Sequence, residues 1–463
     1  MPEQLIIELI RQSTVKSSQL FSYFSNQPWA MLLDSTEGVH PDSRFDIMVA
    51  APKVKLITRG QHTEIIDEQG TRISPLDPLD IVNQQIKTKL TFEQNHTELP
   101  FIGGAVGFFG YDLGGSFERL PHDALDDLHT PDMAVGIYDW AIIKDNHKNQ
   151  LWFVSQDKSL AQAAPGFIEY LKDAATPDNN FAITKAWQAN MTYEQYAQRF
   201  EQVQQYLLSG DCYQINLAQR FTASYEGDEY GAYRALAQSN QAPFSAFLRF
   251  EQFTVLSISP ERLLKLTGSD IQTKPIKGTL RRSSDPKTDR ENAQKLQNSA
   301  KDQAENVMIV DLLRNDIGKV SVAGSVKVPS LFAIESFPAV HHLVSTITGV
   351  LDDKYQATDL LRSAFPGGSI TGAPKIRAME IIDELEPNRR SAYCGSIGYI
   401  CASGNMDSNI AIRTLVCQDQ KIYCWAGGGL VADSTVESEY QETYDKVNKI
   451  LPVLTELENH QNK

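Results

Sequence analysis

The chain has 463 residues, of which 41% are hydrophobic, so it can bury a large core as one large domain or as two coupled ones. Its formal net charge of -15 at pH 7 argues against nucleic acid and anionic membrane surfaces as partners, because both would be repelled. A small anionic substrate would therefore need a local group of cations or a metal ion.

The cysteine pattern and the N-terminus indicate a cytoplasmic protein. The chain has five cysteines and no CxxC pair, which is typical of reduced thiols rather than of a disulfide framework. The apolar run at residues 5–10 is short and is interrupted by Glu8, so we expect neither a signal peptide nor a membrane span.

The first part of the chain is rich in predicted strands. Residues 29–35, 44–50 and 53–59 are apolar or β-branched runs separated by turn residues, a pattern that predicts antiparallel pairs. Residues 101–114, FIGGAVGFFGYDLG, contain more glycine than a plain strand. These glycines indicate bulges or close backbone packing rather than a phosphate site.

A change of composition at residues 174–189 is interpreted as a connector between an N-terminal region, 1–175, and a C-terminal region, 190–455. The C-terminal region begins with aromatic and apolar residues that recur every three or four positions, which predicts an amphipathic helix over 193–209. A strand over residues 212–225 is expected to follow.

Lys277 lies in the stretch QTKPIKGT, residues 272–279. Pro275 cannot donate to a sheet and Gly278 permits close approach to the backbone, so the stretch is interpreted as a strand end beside a pocket. Burial there, or nearby cations, would lower the pKa of the ammonium group and produce a nucleophilic amine. The candidate cations are Lys274, Arg281 and Arg282. The alternative is a lysine that extends into solvent.

Glu261 offers a carboxylic acid near this lysine. The predicted strand 254–259 ends at Ser259-Pro260-Glu261-Arg262, and a hairpin between it and the lysine stretch would bring Glu261 close to Lys277. The alternative is an ordinary surface salt bridge between the two side chains.

Two predicted helices carry pairs of acidic residues. One begins at Lys301 and places Asp302 and Glu305 on the same face, and the C-terminal one carries Glu439 and Glu442 with the same spacing. Lys446 lies one turn further along the second face. Either pair alone could be a solvated helix face. If the pairs face each other, they would form an acidic pocket suited to Mg²⁺.

Two glycine-rich stretches and an arginine would complete an anion site. FPGGSITGAPK, residues 365–375, leads into a helix, whose first backbone N–H groups could bind an anion. AGGGL, residues 426–430, follows a strand and could offer amides in the same way. Arg413, expected on a strand over 408–416, could bind a carboxylate through two hydrogen bonds. Together these features describe a site for a small dianion.

Several of these stretches, in this order, resemble the signature blocks of the chorismate-utilising enzymes. They are QTKPIKGT, KDQAENVMIVDLLRNDIG, VHHLVSTITG, FPGGSITGAPK, and AGGGLVADS with ESEYQETYDKV. The resemblance extends over nearly the whole chain. It implies an α/β (α+β) fold like that of anthranilate synthase component I, a four-layer α/β/β/α sandwich with two packed, mainly antiparallel sheets.

Two positions discriminate among the branches of this family. Lys277 matches the members that aminate chorismate at C4, since anthranilate synthases usually have alanine there. Isochorismate and salicylate synthases carry a general-base lysine where this chain has Gln214. The resemblance therefore implies para amination, which leads to 4-amino-4-deoxychorismate for para-aminobenzoate and folate biosynthesis.

The resemblance also implies roles for the candidate residues. Glu305 and Glu442 would ligate Mg²⁺. Lys277 would attack C2, Glu261 would protonate the departing C4 hydroxyl, and ammonia entering at C4 would expel the lysine. Further metal support, through bound water, would come from Asp302 and Glu439. The substrate would be bound by Thr279, Arg413, Gly427, Gly428, Gly429 and Lys446. His342 matches a histidine near the reacting ring, and a structural role for it stays open.

Ammonia would come from a partner, because no cysteine lies in the context of a glutaminase nucleophile. The resemblance implies a separate glutamine amidotransferase subunit. It also implies bound L-tryptophan in a pocket formed by Ser35, Ser43, Arg44, Phe45, Pro243, Phe244 and Ser245. Two alternatives stay open at this point, an anthranilate synthase component I and a catalytically silent tryptophan-binding module on the same fold.

Overall fold

The computed structural model describes residues 5–12, 15–36, 40, 42–90, 98–157, 159–160, 162, 166, 180–337 and 340–457. These residues form two twelve-stranded sheets in which neighbouring strands pair antiparallel. The strands of the first sheet are β1 (Ile6–Gln12), β2 (Met31–Asp34), β3 (Phe45–Val49), β9 (Trp140–Asp145), β10 (Gln150–Ser155), β11 (Phe181–Ala189), β12 (Gln214–Gly227), β13 (Phe244–Arg249), β14 (Thr254–Ser259), β20 (Gly372–Ala373), β23 (Thr414–Gln418) and β24 (Lys421–Leu430).

The second sheet lies against the first. Its strands are β4 (Val54–Arg59), β5 (His62–Asp67), β6 (Gly70–Ser74), β7 (Gly104–Phe109), β8 (Met133–Tyr138), β15 (Arg262–Thr267), β16 (Asp270–Thr273), β17 (Ile276–Arg281), β18 (Lys327–Ser336), β19 (Val340–Val350), β21 (Ser396–Cys401) and β22 (Met406–Asn409). The spatial order is β1-β10-β9-β3-β2-β13-β14-β23-β24-β12-β11 in the first sheet and β17-β19-β16-β15-β22-β21-β7-β8-β4-β5-β6 in the second. Strand β20 pairs with β12, and β18 pairs with β19.

The helices pack on the sheets. They are α1 (Ser17–Ser22), α2 (Pro78–Lys89), α3 (Tyr193–Ser209), α4 (Glu229–Asn240), α5 (Pro286–Gln297), α6 (Ala300–Gly318), α7 (Ala357–Ala364), α8 (Lys375–Leu385), α9 (Val436–Val447) and α10 (Leu451–Glu456). Two short 3₁₀ turns cover Tyr111–Ser116 and Gly368–Ile370.

Alternation along the strands builds the layers. On β2, Met31 joins the core that holds residues of both sheets, whereas Leu32 joins a second core with Phe21 of α1 and Tyr233 of α4. Helices α2 and α6 contact the second sheet. The predicted fold class, two packed antiparallel sheets between outer helices, is confirmed.

Most of the predicted N-terminal strands are confirmed, but one predicted pairing is wrong. Strands β2 and β3 pair as expected, whereas β4 belongs to the other sheet and pairs with β5 and β8. The glycines of residues 101–114 do serve close packing. A Cβ atom at Gly104 would overlap the carbonyl oxygen of Ile400, and one at Gly107 would overlap that of Ala134. No role in phosphate binding is needed to explain them.

The predicted connector over 174–189 is wrong from Phe181 onward, and residues 174–179 lie outside the described part of the chain. Strand β11 occupies 181–189 and pairs with β12 at the edge of the first sheet. Buried Phe181 and Ile183 alternate with more exposed residues, so a half-buried strand looks polar in composition. Strands from both predicted regions mix in both sheets.

The predicted helix at the start of the C-terminal region is confirmed as α3. Thr192 accepts a hydrogen bond from the backbone N–H of Gln195, whose side chain accepts one in return, which forms a capping box. Gly210 ends the helix in the left-handed conformation, at φ 82°. Strand β12 follows where a strand was expected.

All five cysteines are buried and unpaired, as expected for reduced thiols. Among the residues that the structure describes, none of the helices combines the length and the apolar character required to span a membrane.

Candidate active site

Lys277 lies where the second sheet is interrupted. Strands β16 and β17 both pair with β19, and Lys274 and Pro275 separate them. Gly278 has a φ of 69° and contacts helix α6, because a Cβ atom there would lie 2.8 Å from the carboxyl carbon of Asp302. Glycine therefore allows the helix to approach the strand beside the lysine. The predicted strand end is confirmed, since β17 begins at Ile276 after Pro275, and the pocket beside it stays a prediction.

The Lys277 side chain is half-buried, and its ammonium group donates a hydrogen bond to the Ser369 carbonyl oxygen at 3.2 Å. Burial lowers the pKa of Lys277, while the carboxylates of Glu305 and Glu261 oppose that shift. A lower pKa increases the fraction of free amine at neutral pH, which is the nucleophilic form. Two of the predicted neighbouring cations are engaged elsewhere, Lys274 with Glu335 and Arg282 with Asp289.

Glu261 precedes strand β15 and is 5% exposed. Its Oε1 accepts hydrogen bonds from the Ile276 N–H and the Ser369 hydroxyl, each at 3.3 Å. Burial raises the pKa of Glu261, and the charge of Lys277 opposes the rise. A carboxylic acid with a raised pKa retains its proton longer and can donate it to a leaving group.

The predicted hairpin beside Lys277 is partly wrong. Strand β14, which covers 254–259, belongs to the first sheet, and the hairpin that carries Glu261 toward Lys277 is the β15–β16 hairpin of the second sheet. The expected proximity nonetheless holds, since Ser369 contacts both side chains.

Ser369 was not singled out from the sequence, although it lies within FPGGSITGAPK. Its carbonyl oxygen accepts from Lys277 and its hydroxyl donates to Glu261. The stretch forms the 3₁₀ turn Gly368–Ile370 and strand β20, and α8 begins at Lys375 as expected. A serine between two glycines and a β-branched residue has no distinguishing sequence signal.

Helices α6 and α9 carry the two predicted pairs of acidic residues. Burial raises the pKa of Glu305, and the charges of Asp302 and Glu442 raise it further against the effect of Lys277 and Lys301. The charges of Lys277 and Lys301 also lower the pKa of Glu442, so the same two lysines act on both helices. That the two acidic pairs face each other stays a prediction.

Within helix α9 the two acidic side chains differ. Glu439 is 4% exposed and accepts a hydrogen bond from the Ser434 hydroxyl at 2.7 Å through Oε1, but its buried Oε2 has no partner among the described residues. Glu442 is 44% exposed and accepts one from Lys446 at 2.7 Å. Its burial acts to raise the pKa of Glu442, but the charges of Lys446, Lys301 and Lys277 outweigh it and lower that pKa.

The predicted AGGGL loop is wrong, because these residues continue strand β24 and pair with β12 through Leu430. The glycines lie beneath the acidic side chains instead. A Cβ atom at Gly428 would lie 2.9 Å from Glu439 Oε2 and 3.2 Å from Glu442 Oε1. Lys446 donates to the Gly427 carbonyl oxygen at 2.7 Å. At Gly429 a Cβ atom would overlap the amide of Gln214.

The prediction that Arg413 lies on a strand is wrong. The residue lies between β22 and β23, with a φ of 51°. Its side chain forms no hydrogen bond or ion pair with the residues that the structure describes, and burial lowers the pKa of the guanidinium. His342, on β19, is 4% exposed. Burial and the charge of Arg413 lower the pKa of His342 to about 4, so its ring is neutral at pH 7. The Thr279 hydroxyl lies 2.8 Å from His342 Nδ1.

A Mg²⁺ ion at these acidic residues would have to take part of its ligands from water or from a substrate. Nowhere in the described ranges do three His, Cys, Asp or Glu side chains converge to hold a metal by themselves. Mg²⁺ binds through one or two protein carboxylates and takes its remaining ligands from water and substrate oxygens. Glu439 Oε2 has no partner among the described residues and lies next to Gly428. This oxygen could bind such an ion directly or through a water molecule.

A cavity of about 570 Å³ lies between the sheets. Six of the seven predicted tryptophan-binding residues line it, namely Ser35, Arg44, Phe45, Pro243, Phe244 and Ser245. Ser43 is not part of the lining, although it is buried. Ser408, which the sequence did not single out, lines the cavity, and its buried hydroxyl finds no partner in the described part of the chain.

Comparison with known proteins agrees with this geometry. A family model described as chorismate binding enzyme matches residues 30–452. Aminodeoxychorismate synthase component 1 of Escherichia coli (strain K12) is 58% identical over 435 residues, which cover 94% of this chain and 95% of that protein. Its counterpart from Klebsiella aerogenes is 57% identical over 431 residues, 93% of this chain and 95% of that protein.

A solved structure supports the fold. The crystal structure of anthranilate synthase component I from Streptococcus pneumoniae TIGR4 superimposes with a TM-score of 0.80 at 32% identity. The match covers 89% of this chain and 93% of that one. The fold predicted from the sequence is therefore the fold of that enzyme.

Proposed function

This chain belongs to the family of chorismate binding enzymes, and within it we propose that it is an aminodeoxychorismate synthase component I, which aminates chorismate at C4 to give 4-amino-4-deoxychorismate. The observation that carries the proposal is the pair formed by Lys277 and Glu261. A half-buried amine with a lowered pKa and a buried acid with a raised pKa contact the same residue, Ser369.

These two groups can carry the amination in two displacements. The free amine of Lys277 forms a bond to C2, the ring double bonds shift, and the C4–O bond breaks as Glu261 donates its proton, which releases water. Ammonia then bonds to C4, the double bonds shift back, and the C2–N bond to Lys277 breaks. Glu261 is left as a carboxylate that can accept a proton from the entering ammonia.

The substrate would be held by the cations around the pair. Arg413, which has no ionic partner in the described chain, would bind a carboxylate through two hydrogen bonds. Lys446, which donates to the Gly427 carbonyl oxygen, and the backbone of Gly427, Gly428 and Gly429 would add further substrate contacts. Neutral His342, fixed by Thr279, would contact the ring without adding charge.

Glu305 and Glu442 would hold Mg²⁺, with Asp302 and Glu439 supporting it through water. When bound, the ion would supply positive charge for the ring carboxylate. Without it, the four acidic side chains would repel an anionic substrate, and this repulsion is the reason to expect a metal requirement.

Gln214 argues against activation of water at C2. Its side chain lies over Gly429 and cannot act as a base, and its buried Oε1 has no partner among the described residues. Because Gln214 cannot act as a base toward water, attack by Lys277 is the reaction that we propose.

The second candidate function is that of an anthranilate synthase component I, which the likeness to the enzyme from Streptococcus pneumoniae favours. In that reaction ammonia adds at C2 and pyruvate leaves. Lys277 argues against it, because its amine would occupy C2.

Two ligands complete the proposal. A glutamine amidotransferase subunit, component II, would supply ammonia, as the designation "component 1" of the relatives implies. L-tryptophan would occupy the cavity between the sheets, where aromatic Phe45 and Phe244 can contact an indole ring. The product would lead to para-aminobenzoate and folate.

The test is to incubate the purified chain with chorismate, Mg²⁺ and an ammonium salt, and to identify the product by mass and fluorescence. 4-Amino-4-deoxychorismate is expected. Anthranilate would support the second candidate. No turnover, even with a glutamine amidotransferase subunit added, would favour a silent tryptophan-binding module.

The metal is tested separately with Glu442→Gln and chelator. Chelation is expected to abolish turnover, and Glu442→Gln is expected to require more Mg²⁺ for half-maximal rate. Glu437→Gln, an exposed neighbour on the same helix, is the matched control. Full activity of Glu442→Gln in excess chelator would contradict a metal at this place.

A further inference from the structure

Arg390, between α8 and β21, is 1% exposed and lies outside the residues assigned so far. Its guanidinium donates to both carboxylate oxygens of Glu386, at 2.9 and 2.7 Å. It also donates to the Ile370 carbonyl oxygen at 3.0 Å and to that of Asn216 at 2.9 Å. Tyr111 stacks on it at 4.7 Å. We call Arg390 and Glu386 together the arginine clamp.

The arginine clamp connects three elements. Glu386 follows the end of α8, and its Oε1 also accepts from the Ala218 N–H of β12 at 2.8 Å. Asn216, on the same strand, donates its backbone N–H to the Thr371 carbonyl oxygen at 2.8 Å. The end of α8, strand β12 and the turn at Ile370 are thus held together by one buried ion pair.

The position of Ile370 gives the clamp its significance. The preceding residue, Ser369, receives the hydrogen bond of Lys277 on its carbonyl and donates its hydroxyl to Glu261. Because each peptide unit is planar, a fixed Ile370 carbonyl leaves few dihedral angles between the clamp and the Ser369 carbonyl. A shift of the turn would move the acceptor of the nucleophile and the donor to the acid at the same time.

We propose that Arg390 is a positioning residue of the reaction, which acts through Ile370 and Ser369 to hold Lys277 and Glu261 in register, with Glu386 fixing the guanidinium. The inference rests on the proposed function. Arginine is required because its planar fork serves Glu386, Ile370 and Asn216 at once, which the single ammonium group of lysine cannot do.

A purely structural role is the alternative, and burial of the pair does not argue against it. The two differ in their consequences. A structural role predicts that loss of the guanidinium lowers the stability of the protein but leaves the kcat of the folded enzyme unchanged. A positioning role predicts a slower chemical step and an altered Lys277 in enzyme that is still folded.

The test compares Arg390→Lys with Arg220→Lys. Arg220 is a matched control, since it is 8% exposed, binds both oxygens of Asp127 at 2.8 and 2.7 Å, and stacks on Tyr423 and Trp425. It has no contact with the turn at Ile370 in the described structure. With ammonium salt as the nitrogen source, Arg390→Lys is expected to lower kcat about 100-fold and to change KM for chorismate less than about threefold.

The second readout is the pH dependence of Lys277 modification by an amine-reactive reagent, read by peptide mass spectrometry. Loss of the Ser369 acceptor destabilises the ammonium form, so the midpoint is expected to move to lower pH in Arg390→Lys alone. Both variants keep the charged groups that face Lys277, which are Glu305, Glu261, Glu442 and Lys446.

Equal kcat in the two variants would overturn the proposal, and so would a lower kcat with an unmoved midpoint. If Arg390→Lys does not fold, Glu386→Gln, which keeps the shape of the side chain, carries the same two readouts. If the wild-type chain does not turn over chorismate, the proposed function fails, while the modification midpoint still decides whether the clamp positions Lys277.

Discussion

Two regions of this molecule are lined with charged side chains, and they differ in how those charges are paired. The first region is the candidate active site around Lys277 and Glu261, called the lysine site below. There, Arg413 has no ionic partner and Glu439 Oε2 has no hydrogen bond within the described structure. In the cavity between the sheets, Arg262 binds Asp42 and Asp407, and Arg44 binds Asp145 and Glu98.

The difference shows what each region is built to receive. A buried charge without a partner costs free energy, so it persists where a ligand supplies the missing charge. The lysine site therefore fits a dianion together with a cation. In the cavity the two arginines, Arg44 and Arg262, are already paired with carboxylates, and the buried Ser408 hydroxyl has no partner within the described structure, which fits the polar group of a ligand.

Removal of Lys277 should break the lysine site most severely. Lys277→Ala is expected to lower kcat at least ~10³-fold, since both displacements lose their nucleophile. Lys274→Ala is the matched control, because this nearby lysine pairs with Glu335 at 2.6 Å and should keep most of the activity. Product formation with ammonium salt measures both. Undiminished synthesis by Lys277→Ala would exclude a lysine adduct.

Replacement of an arginine in each region should sharpen the comparison, because the effects on stability should have opposite signs. Arg413→Met removes an uncompensated cation and is expected to raise the free energy of unfolding by about 1–2 kcal/mol, while lowering kcat/KM about 100-fold. Arg262→Met leaves two carboxylates without their partner and is expected to lower it by about 3–5 kcal/mol. Urea denaturation measures both. Destabilisation by Arg413→Met would mean that Arg413 has a structural partner.

The sequence predicted helices α3, α6, α8 and α9 and several of the strands of this fold because their signals are local, whereas the other helices were not predicted. The capping box at Thr192 and Gln195 and the left-handed Gly210 are local signals of this kind. The assignment of β4 to the second sheet was not predictable, since it depends on pairing with β8, which lies about 80 residues further along the chain. For the same reason the edge strand β11 was interpreted as a connector.

The candidate site divides in the same way. Charged residues with a regular spacing, such as Glu305 and Glu442, could be found from the sequence because acidic pairs on one helix face form a recognisable pattern. Ser369 and Arg390 could not, since their roles depend on contacts with residues about 90 and 20 positions away. The AGGGL stretch misled, because glycines that permit close packing within a strand look like those of a loop.

His342 should make the stability of the lysine site dependent on pH. The pKa of this histidine is about 4 in the folded protein and 6.5 when unperturbed, so between these values the unfolded chain binds a proton that the folded chain does not. The free energy of unfolding should therefore decrease as the pH is lowered, by about 2 kcal/mol between pH 7 and pH 5. Denaturation of the wild type and His342→Gln at both pH values measures this. An equal fall in both proteins would show that His342 titrates normally in the fold.

The cavity should respond most mildly, because its two arginines are already paired with carboxylates. Ser408→Ala removes a hydroxyl that has no partner in the described structure, so the unliganded protein should lose no stability. If the hydroxyl binds tryptophan, the same change should weaken binding by about 1 kcal/mol, or about fivefold, in a calorimetric titration. Ser43→Ala is the matched comparison, because its hydroxyl is also buried and has no partner among the described residues but lies outside the cavity lining. Equal affinities for the wild type and Ser408→Ala, with weaker binding by Ser43→Ala, would show that the polar end of the ligand binds near Ser43 and not near Ser408.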